Sequence, residues 1–165
     1  EFDPDETYRR VINLQGDLPD IPTKYLSFLA NMMRKDEFDL STLVAPCEES
    51  QITAPQVVKA VISWKSEYVK TDFEIGRAHY FSRAPIPFGS KVFWHHIGVY
   101  GWQRVALKKF VKSNPSALEQ IEKLEQLRAL ELGMIIAAGK VKIPAHGVDT
   151  EQDLIEIRKK LSSRV

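Results

Sequence analysis

Apolar residues in this chain fall into two alternating rhythms: short runs stopped by Gly or Pro, and longer stretches at helical spacing. Arg10-Val11-Ile12-Asn13-Leu14 is a short β-branched run closed by Gln15-Gly16-Asp17-Leu18-Pro19, which predicts a strand that stops abruptly. After Ile21-Pro22-Thr23, which offers a cap, Tyr25, Leu26, Leu29, Met32 and Met33 sit at the spacing of a helix. Arg34 and Lys35 are expected in its last turn, where cations suit the helix dipole. Leu40 to Ala45, Val57 to Ile62, Ala78 to Phe81 and Trp94 to Trp102 predict four further strands. A polar loop with Glu48, Glu49 and Pro55 separates the first two of these, and the prolines at 85 and 87 stop the third. Val105 to Val111 predicts a short helix. Ser116-Ala117-Leu118-Glu119 reads as a capping box opening a helix to about Leu132, with Gly133 as its stop. Met134 to Val141 returns as a strand. Thr150-Glu151-Gln152-Asp153 caps a final helix whose Leu154, Ile157 and Leu161 form one stripe.

Strands and helices interleave without a repeat, so the expectation is a single α/β domain over 1–165, with a mostly parallel sheet covered by helices. In such a plan Asp17 is delivered to the open end of the sheet, where α/β proteins bind ligands. An Asp that caps a turn is the plainer alternative.

Composition narrows the classes. The chain has 165 residues, 44% hydrophobic and 27% charged, which fits a globular protein with a real core. A formal charge of +1, with both signs mixed along the length, gives no reason to expect nucleic acid as a partner. The longest apolar run, Met134 to Ala138, is too short to span a membrane. The single Cys47 forms no internal disulfide and no Cys/His pair has metal-finger spacing, so a reducing compartment is expected. The acidic start, Glu1-Phe2-Asp3-Pro4-Asp5-Glu6, is unlike a signal peptide.

Candidate chemistry lies in four places. Stepping the Ser116–Leu132 helix at 100° puts Leu118, Ile121, Glu125 and Ala129 in one arc, with Glu122 and Gln126 between Leu118 and Leu130. Carboxylates and an amide on an inward face need partners. Arg128, Arg83 or backbone groups are one solution, and a polar pocket for a hydroxyl-rich ligand is the other. Asp149, just ahead of the last helix, suits the dipole there; if it met Asp17, the pair would make a hard-oxygen site for Mg²⁺. His95 and His96 alternate across their strand, so only one can face a pocket. Arg83, beside Pro85-Ile86-Pro87, suits either bidentate carboxylate recognition or a surface ion pair. Trp64, Trp94 and Trp102 are expected in the core. Cys47 has no neighbour in sequence that would activate it.

Five stretches in order carry a resemblance: Val11 to Pro19 around Gln-Gly-Asp, Tyr80 to Pro87 (Tyr-Phe-Ser-Arg-Ala-Pro-Ile-Pro), His96-Ile97-Gly98-Val99-Tyr100-Gly101, Leu124-Glu125-Gln126-Leu127-Arg128, and Gly147-Val148-Asp149-Thr150. Together they resemble the 3-deoxy-manno-octulosonate cytidylyltransferases, also called CMP-Kdo synthetases, from about Val11 to Arg158. The resemblance implies a Rossmann-like nucleotide-diphospho-sugar transferase fold and a cytoplasmic homodimer. It implies Mg²⁺-dependent reaction of CTP with the acidic sugar Kdo, giving CMP-Kdo and pyrophosphate for lipopolysaccharide assembly. By the same resemblance Asp17 and Asp149 hold the metal and are the catalytic pair. Gln15, Arg83, His96, Tyr100, Glu122 and Gln126 contact the sugar acid. Leu18 and Trp102-Gln103 depart from residues common in the family at those places, and the connection between Phe88 and Phe93 is shorter. The family's first strand and its Gly-rich basic loop, which grips the CTP phosphates, have no counterpart in these residues. The 165 residues therefore correspond to the C-terminal two thirds of that fold and are expected to be a poor enzyme on their own. A transferase for another acidic sugar, a non-catalytic sugar-binding module and an unrelated structural domain are the alternatives.

The Val11–Leu14 strand would neighbour that first strand, so alone it offers an apolar edge open to pairing. The expectation is that the missing part exists as another chain or has been lost, or that Glu1–Val165 self-associates; a sedimentation series in which it stayed monomeric and cooperatively folded at high concentration would refute the open edge.

Overall fold

The computed structural model describes residue 5 and residues 7–64, 74–142, 147–148 and 151–162. Among the described residues six strands and six helices follow in the order β1 (Arg10–Asn13), α1 (Thr23–Met32), β2 (Leu40–Pro46), α2 (Glu49–Ile52), β3 (Lys59–Trp64), β4 (Ile75–Ser82), β5 (Trp94–Gln103), α3 (Arg104–Lys112), α4 (Ala117–Glu122), α5 (Gln126–Glu131), β6 (Ile136–Lys140) and α6 (Glu151–Ser162). The strands make one sheet in the order β1-β5-β2-β6-β4-β3, and the start of β3 also pairs with β5.

The sheet is mixed, which corrects the expectation of mostly parallel strands. Among the described residues only β2 and β6 pair parallel; β1–β5, β2–β5, β4–β6, β3–β4 and β3–β5 are antiparallel. Alternation of strand and helix implies parallel neighbours only where each helix returns the chain to the same end of the sheet. Here β5 instead enters reversed and lies between β1 and β2, the two strands that α1 connects.

Each face of the sheet has its own core. On one, α1 lays Tyr25, Phe28, Leu29 and Met32 on Leu43, Ala45, Ile97, Val99 and Ala137. Two glycines permit this close approach: a Cβ at Gly101 would lie 2.6 Å from Ser41 Oγ, and one at Gly139 would lie 2.5 Å from Phe28 Cε1. On the other face Trp102, Phe110, Leu127 and Ala129 pack on Leu40, Val44, Phe81, Ile136 and Ala138. Helix α1 ends at Met32, so Arg34 and Lys35 fall beyond its last turn, and no side chain caps its start. β1 closes the sheet at one end and is largely exposed, with Ile12 39% accessible and Leu14, just past its end, 46%.

Two local departures from regularity position everything below. First, β5 bulges against β2. Ser41 pairs with Gly101 and Leu43 with Ile97, so two steps on β2 face four on β5. Such an insertion bends the strand and re-aims its side chains. Second, the helix expected from Ser116 to Leu132 is broken. Lys123 takes a left-handed conformation at φ 57°, ending α4, and α5 begins at Gln126. The break overturns the continuous wheel: Ile121, expected on the inward arc, is 75% exposed. Nothing in Glu122-Lys123-Leu124 signals a stop, and the cause is tertiary. The Arg83 guanidinium donates from Nε to Glu122 O at 3.1 Å and reaches Lys123 O at 3.5 Å.

A left-handed lysine costs roughly 1 kcal/mol that glycine does not. Lys123→Gly is expected to raise the unfolding free energy by about that amount in urea titrations, whereas a destabilised Lys123→Gly would mean that the lysine side chain itself holds the turn.

Candidate functional site

Register alone brings the first polar group to the site. Asn13 of β1 pairs with Tyr100 of β5, so both project to the same face. There they meet α3 and the start of α5, and a cavity of about 170 Å³ opens between them. Trp102, Leu107, Phe110 and Val111 form its apolar wall; Asn13, Tyr100, Glu125 and Gln126 supply the polar groups.

Gln126 is the residue that most asks for a ligand. It is buried, and its Nε2 has no hydrogen-bond partner. A buried donor left unsatisfied costs about 1–3 kcal/mol, and this one lines a cleft. The helix break puts it there, because α5 starts afresh at Gln126 after the left-handed Lys123 instead of continuing the turns of α4. The same break leaves Glu125 exposed at the cleft mouth. Burial, with a smaller effect of the Glu125 charge, pushes the Tyr100 phenol well above its ordinary range, so Tyr100 is a neutral hydroxyl that can donate or accept.

Behind Tyr100 stands His96. Their ring centroids are 5.6 Å apart, and His96 meets Phe81 edge-on at 4.9 Å. In a flat strand residues four apart lie roughly 13 Å from each other, so this contact exists because β5 bulges between them. His96 is buried, with 7% of its surface exposed; burial, and secondarily His95, pushes its pKa down to about 3. Its Nε2 lies 3.0 Å from Thr42 Oγ1.

Arg83 and Glu122 are brought together, but with each other. Ser82 Oγ donates to Glu122 Oε1 at 2.6 Å, and the Arg83 backbone N–H donates to Oε2 at 3.2 Å. The guanidinium of Arg83 donates to the carbonyls of Pro55 and Glu122 at 2.9 and 3.1 Å. Beneath them Lys59, with no exposed surface, donates its ammonium to the carbonyls of Ala54 and Val57 at 3.0 and 2.7 Å and to that of Arg83. Neither Arg83 nor Glu122 lines the cleft, whereas Glu125 does.

At the exit of β1, Gln15 O accepts the Leu18 N–H at 3.2 Å, making a tight turn anchored by buried Leu18. Asp17 is exposed on this turn, and its backbone carbonyl accepts the Val148 N–H at 2.9 Å. Asp149, the next residue, lies outside the described residues, as does Thr150. Among the described residues no three His, Cys, Asp or Glu side chains gather into a metal site. Burial pushes the Cys47 thiol up, away from nucleophilic use. No helix among the described residues is long and apolar enough to cross a membrane.

Sequence reading missed Asn13, Leu107, Phe110 and Val111 as cleft residues. Asn13 carried a signal, since it sits two positions before Gln15 and interrupts an apolar strand. The α3 residues carried none, because their docking is a tertiary matter.

The family model described as cytidylyltransferase matches residues 1–140. The chain belongs to the cytidylyltransferase family. Among curated relatives it is 44% identical over 164 residues to a 3-deoxy-manno-octulosonate cytidylyltransferase of Rhodopseudomonas palustris strain BisA53, covering 99% of this chain and 64% of the relative. A protein of the same name from Parvibaculum lavamentivorans is 42% identical over 165 residues, with 62% of its length covered. The chain thus spans somewhat under two thirds of these relatives. Among solved structures, a CMP:2-keto-3-deoxy-manno-octonic acid synthetase complexed with CTP superposes with a TM-score of 0.84 at 29% identity, over 99% of this chain and 66% of that one. A UDP-glucose pyrophosphorylase complexed with UDP-glucose reaches 0.59 at 11% identity over 99% of this chain and 60% of that one, a likeness of fold alone.

The His96 shift fixes a pH response. Between its ordinary value of 6.5 and about 3 the unfolded chain takes up a proton that the folded chain excludes. Stability therefore rises with pH across that window and falls on acidification. Urea unfolding of wild type and His96→Gln from pH 7 to 4 should show a shallower pH slope in the variant; equal slopes would place a titrating imidazole in the folded protein.

Proposed function

We propose that this chain forms the sugar-acid and metal-binding part of a 3-deoxy-manno-octulosonate cytidylyltransferase. The whole enzyme transfers CMP from CTP to Kdo, releasing pyrophosphate and giving CMP-Kdo for lipopolysaccharide assembly. The observation that carries the reading is the buried Gln126, whose amide Nε2 has no partner, on a cleft shared with Tyr100, Asn13 and Glu125. A polyhydroxy ligand supplies what such a cleft lacks: acceptors for the amide and phenol on one side and a carbon skeleton for the apolar wall on the other. The likeness to the CTP-bound synthetase supports the same reading.

Within it, Gln15, Tyr100 and Gln126 hold the sugar, joined by Asn13 and Glu125, while His96 backs Tyr100. Arg83 and Glu122, expected at the sugar acid, are engaged in the turn that precedes Gln126, and their bonds support a supporting role there. Asp17 and Asp149 fit a Mg²⁺ site, since both are hard-oxygen donors. The bond from Val148 to the Asp17 carbonyl ties the residue before Asp149 to the Asp17 turn. The ion would neutralise charge on the nucleotide phosphates. The protein's own task is positional: the cleft orients the sugar so that its hydroxyl oxygen bonds to the α-phosphorus as the bond to pyrophosphate breaks. The reading also carries a cytoplasmic location and a homodimer.

Calorimetry of this chain should show heat with Kdo, weakened roughly ten-fold in Gln126→Ala, and little with CTP and Mg²⁺. Equal heats with neuraminate would redirect the assignment to another acidic sugar, and no heat with either would remove it. Mn²⁺ binding followed by electron paramagnetic resonance should weaken in Asp17→Asn.

A further inference from the structure

The hydroxyl of Thr42 has more neighbours than one proton can serve. Thr42 stands on β2 opposite the bulge of β5, and its Oγ1 lies 3.1 Å from Ile97 O, 3.0 Å from Val99 O and 3.0 Å from His96 Nε2. The two carbonyls can only accept. If Nε2 were also an acceptor, the single hydroxyl proton would face three lone pairs, and two buried contacts would be repulsive. The fewest lone pairs are opposed if Thr42 gives its one proton to a bulge carbonyl, or shares it between the two, while His96 donates its Nε2–H to Thr42. With one ring proton on the neutral imidazole placed there, Nδ1 is left as a lone pair.

From this we infer that Thr42 is a positioning residue: it closes the β5 bulge and fixes His96 as a neutral imidazole with its proton on Nε2, set behind the Tyr100 wall of the cleft. The two duties are linked. The bulge brings the His96 and Tyr100 rings within 5.6 Å of each other, and Thr42 pairs with the carbonyls of Ile97 and Val99 inside that bend. A valine in its place would have the same shape but no hydroxyl, leaving the His96 N–H and the carbonyl that took the hydroxyl proton without that partner. His95, the next residue on the strand, adds a positive influence that further disfavours a second proton on His96. Phe81 and Tyr100 enclose the ring from the sides with no charge of their own. The link to sugar binding, which runs through the placement of Tyr100, rests on the function proposed above; the tautomer does not.

The test uses this chain labelled with ¹⁵N-histidine, with the His96 resonances assigned from the His96→Gln variant. At neutral pH the ring should be uncharged with its proton on Nε2, and Thr42→Ser should keep that pattern. Thr42→Val should lose it, giving a mixture of ring forms or a proton on Nδ1, and should bind Kdo roughly ten-fold or more weakly than Thr42→Ser. A proton on Nδ1 in the wild type, or a Thr42→Val protein with unchanged ring form and unchanged Kdo affinity, would overturn the inference. Should Thr42→Val not fold, the wild-type and Thr42→Ser spectra still decide the tautomer. A wild type that shows the Nε2 proton but takes up no Kdo would refute the sugar assignment and leave the Thr42–His96 pairing supported.

Discussion

The strand β5 has to satisfy neighbours on both sides while bending in the middle, and most of this protein's geometry follows from that constraint. It is the hydrogen-bonding partner of β1 and β2 at once, and of the first residues of β3. A strand so enclosed cannot leave carbonyls unpaired where it bulges, because buried acceptors without donors are costly. The side chains of β2 supply the donors: Thr42 faces Ile97 and Val99 from one side of the sheet, and Ser41 lies near Gly101 O from the other. The bend in turn stacks His96, Tyr100, Trp102 and Phe110 in a continuous row of rings, with centroid spacings of 5.6, 6.3 and 4.8 Å. That row ends in the cleft wall.

A second knot aims the helical side of the cleft. Lys59 is a buried ammonium with three backbone carbonyls as partners. Arg83, whose carbonyl is one of them, reaches across to the end of α4, and Glu122 closes the circuit through Ser82 and the Arg83 N–H. Breaking one member of such a set exposes buried charge or unpaired carbonyls. The left-handed Lys123 is thereby held, and α5 is free to point Gln126 inward. From below, Arg128 grips Glu119 and lies over the Phe110 ring at 4.4 Å, so α3, α4 and α5 are joined around one guanidinium. That hydrogen bond keeps the Glu119 carboxyl below its usual range.

Much of the fold was legible. All six described strands and the larger helices fall where the apolar runs and spacings put them, shifted by a few residues; only the four-residue α2, inside a polar loop, went unmarked. The tight turn carrying Asp17 was visible because Gly16 and Pro19 end a β-branched run. At the cleft, Tyr100 and Gln126 were marked by the motifs they sit in. Arg83 and Glu122 were marked as well, yet their partners are backbone groups contributed by other segments, which no spacing reveals.

The sequence by itself determined where the chain extends, where it coils and where it turns, because those choices rest on contacts a few residues apart. It also determined the family, since five short motifs in order leave little freedom. Only the tertiary structure decided the direction of β5, the bulge that brings His96 against Tyr100, and the break at Lys123 that turns Gln126 toward the cleft. Each of these depends on hydrogen bonds between groups some forty or more positions apart, from Arg83 to Glu122 and from Thr42 to Val99. A local pattern holds no record of such bonds, because either partner alone would be equally stable facing water.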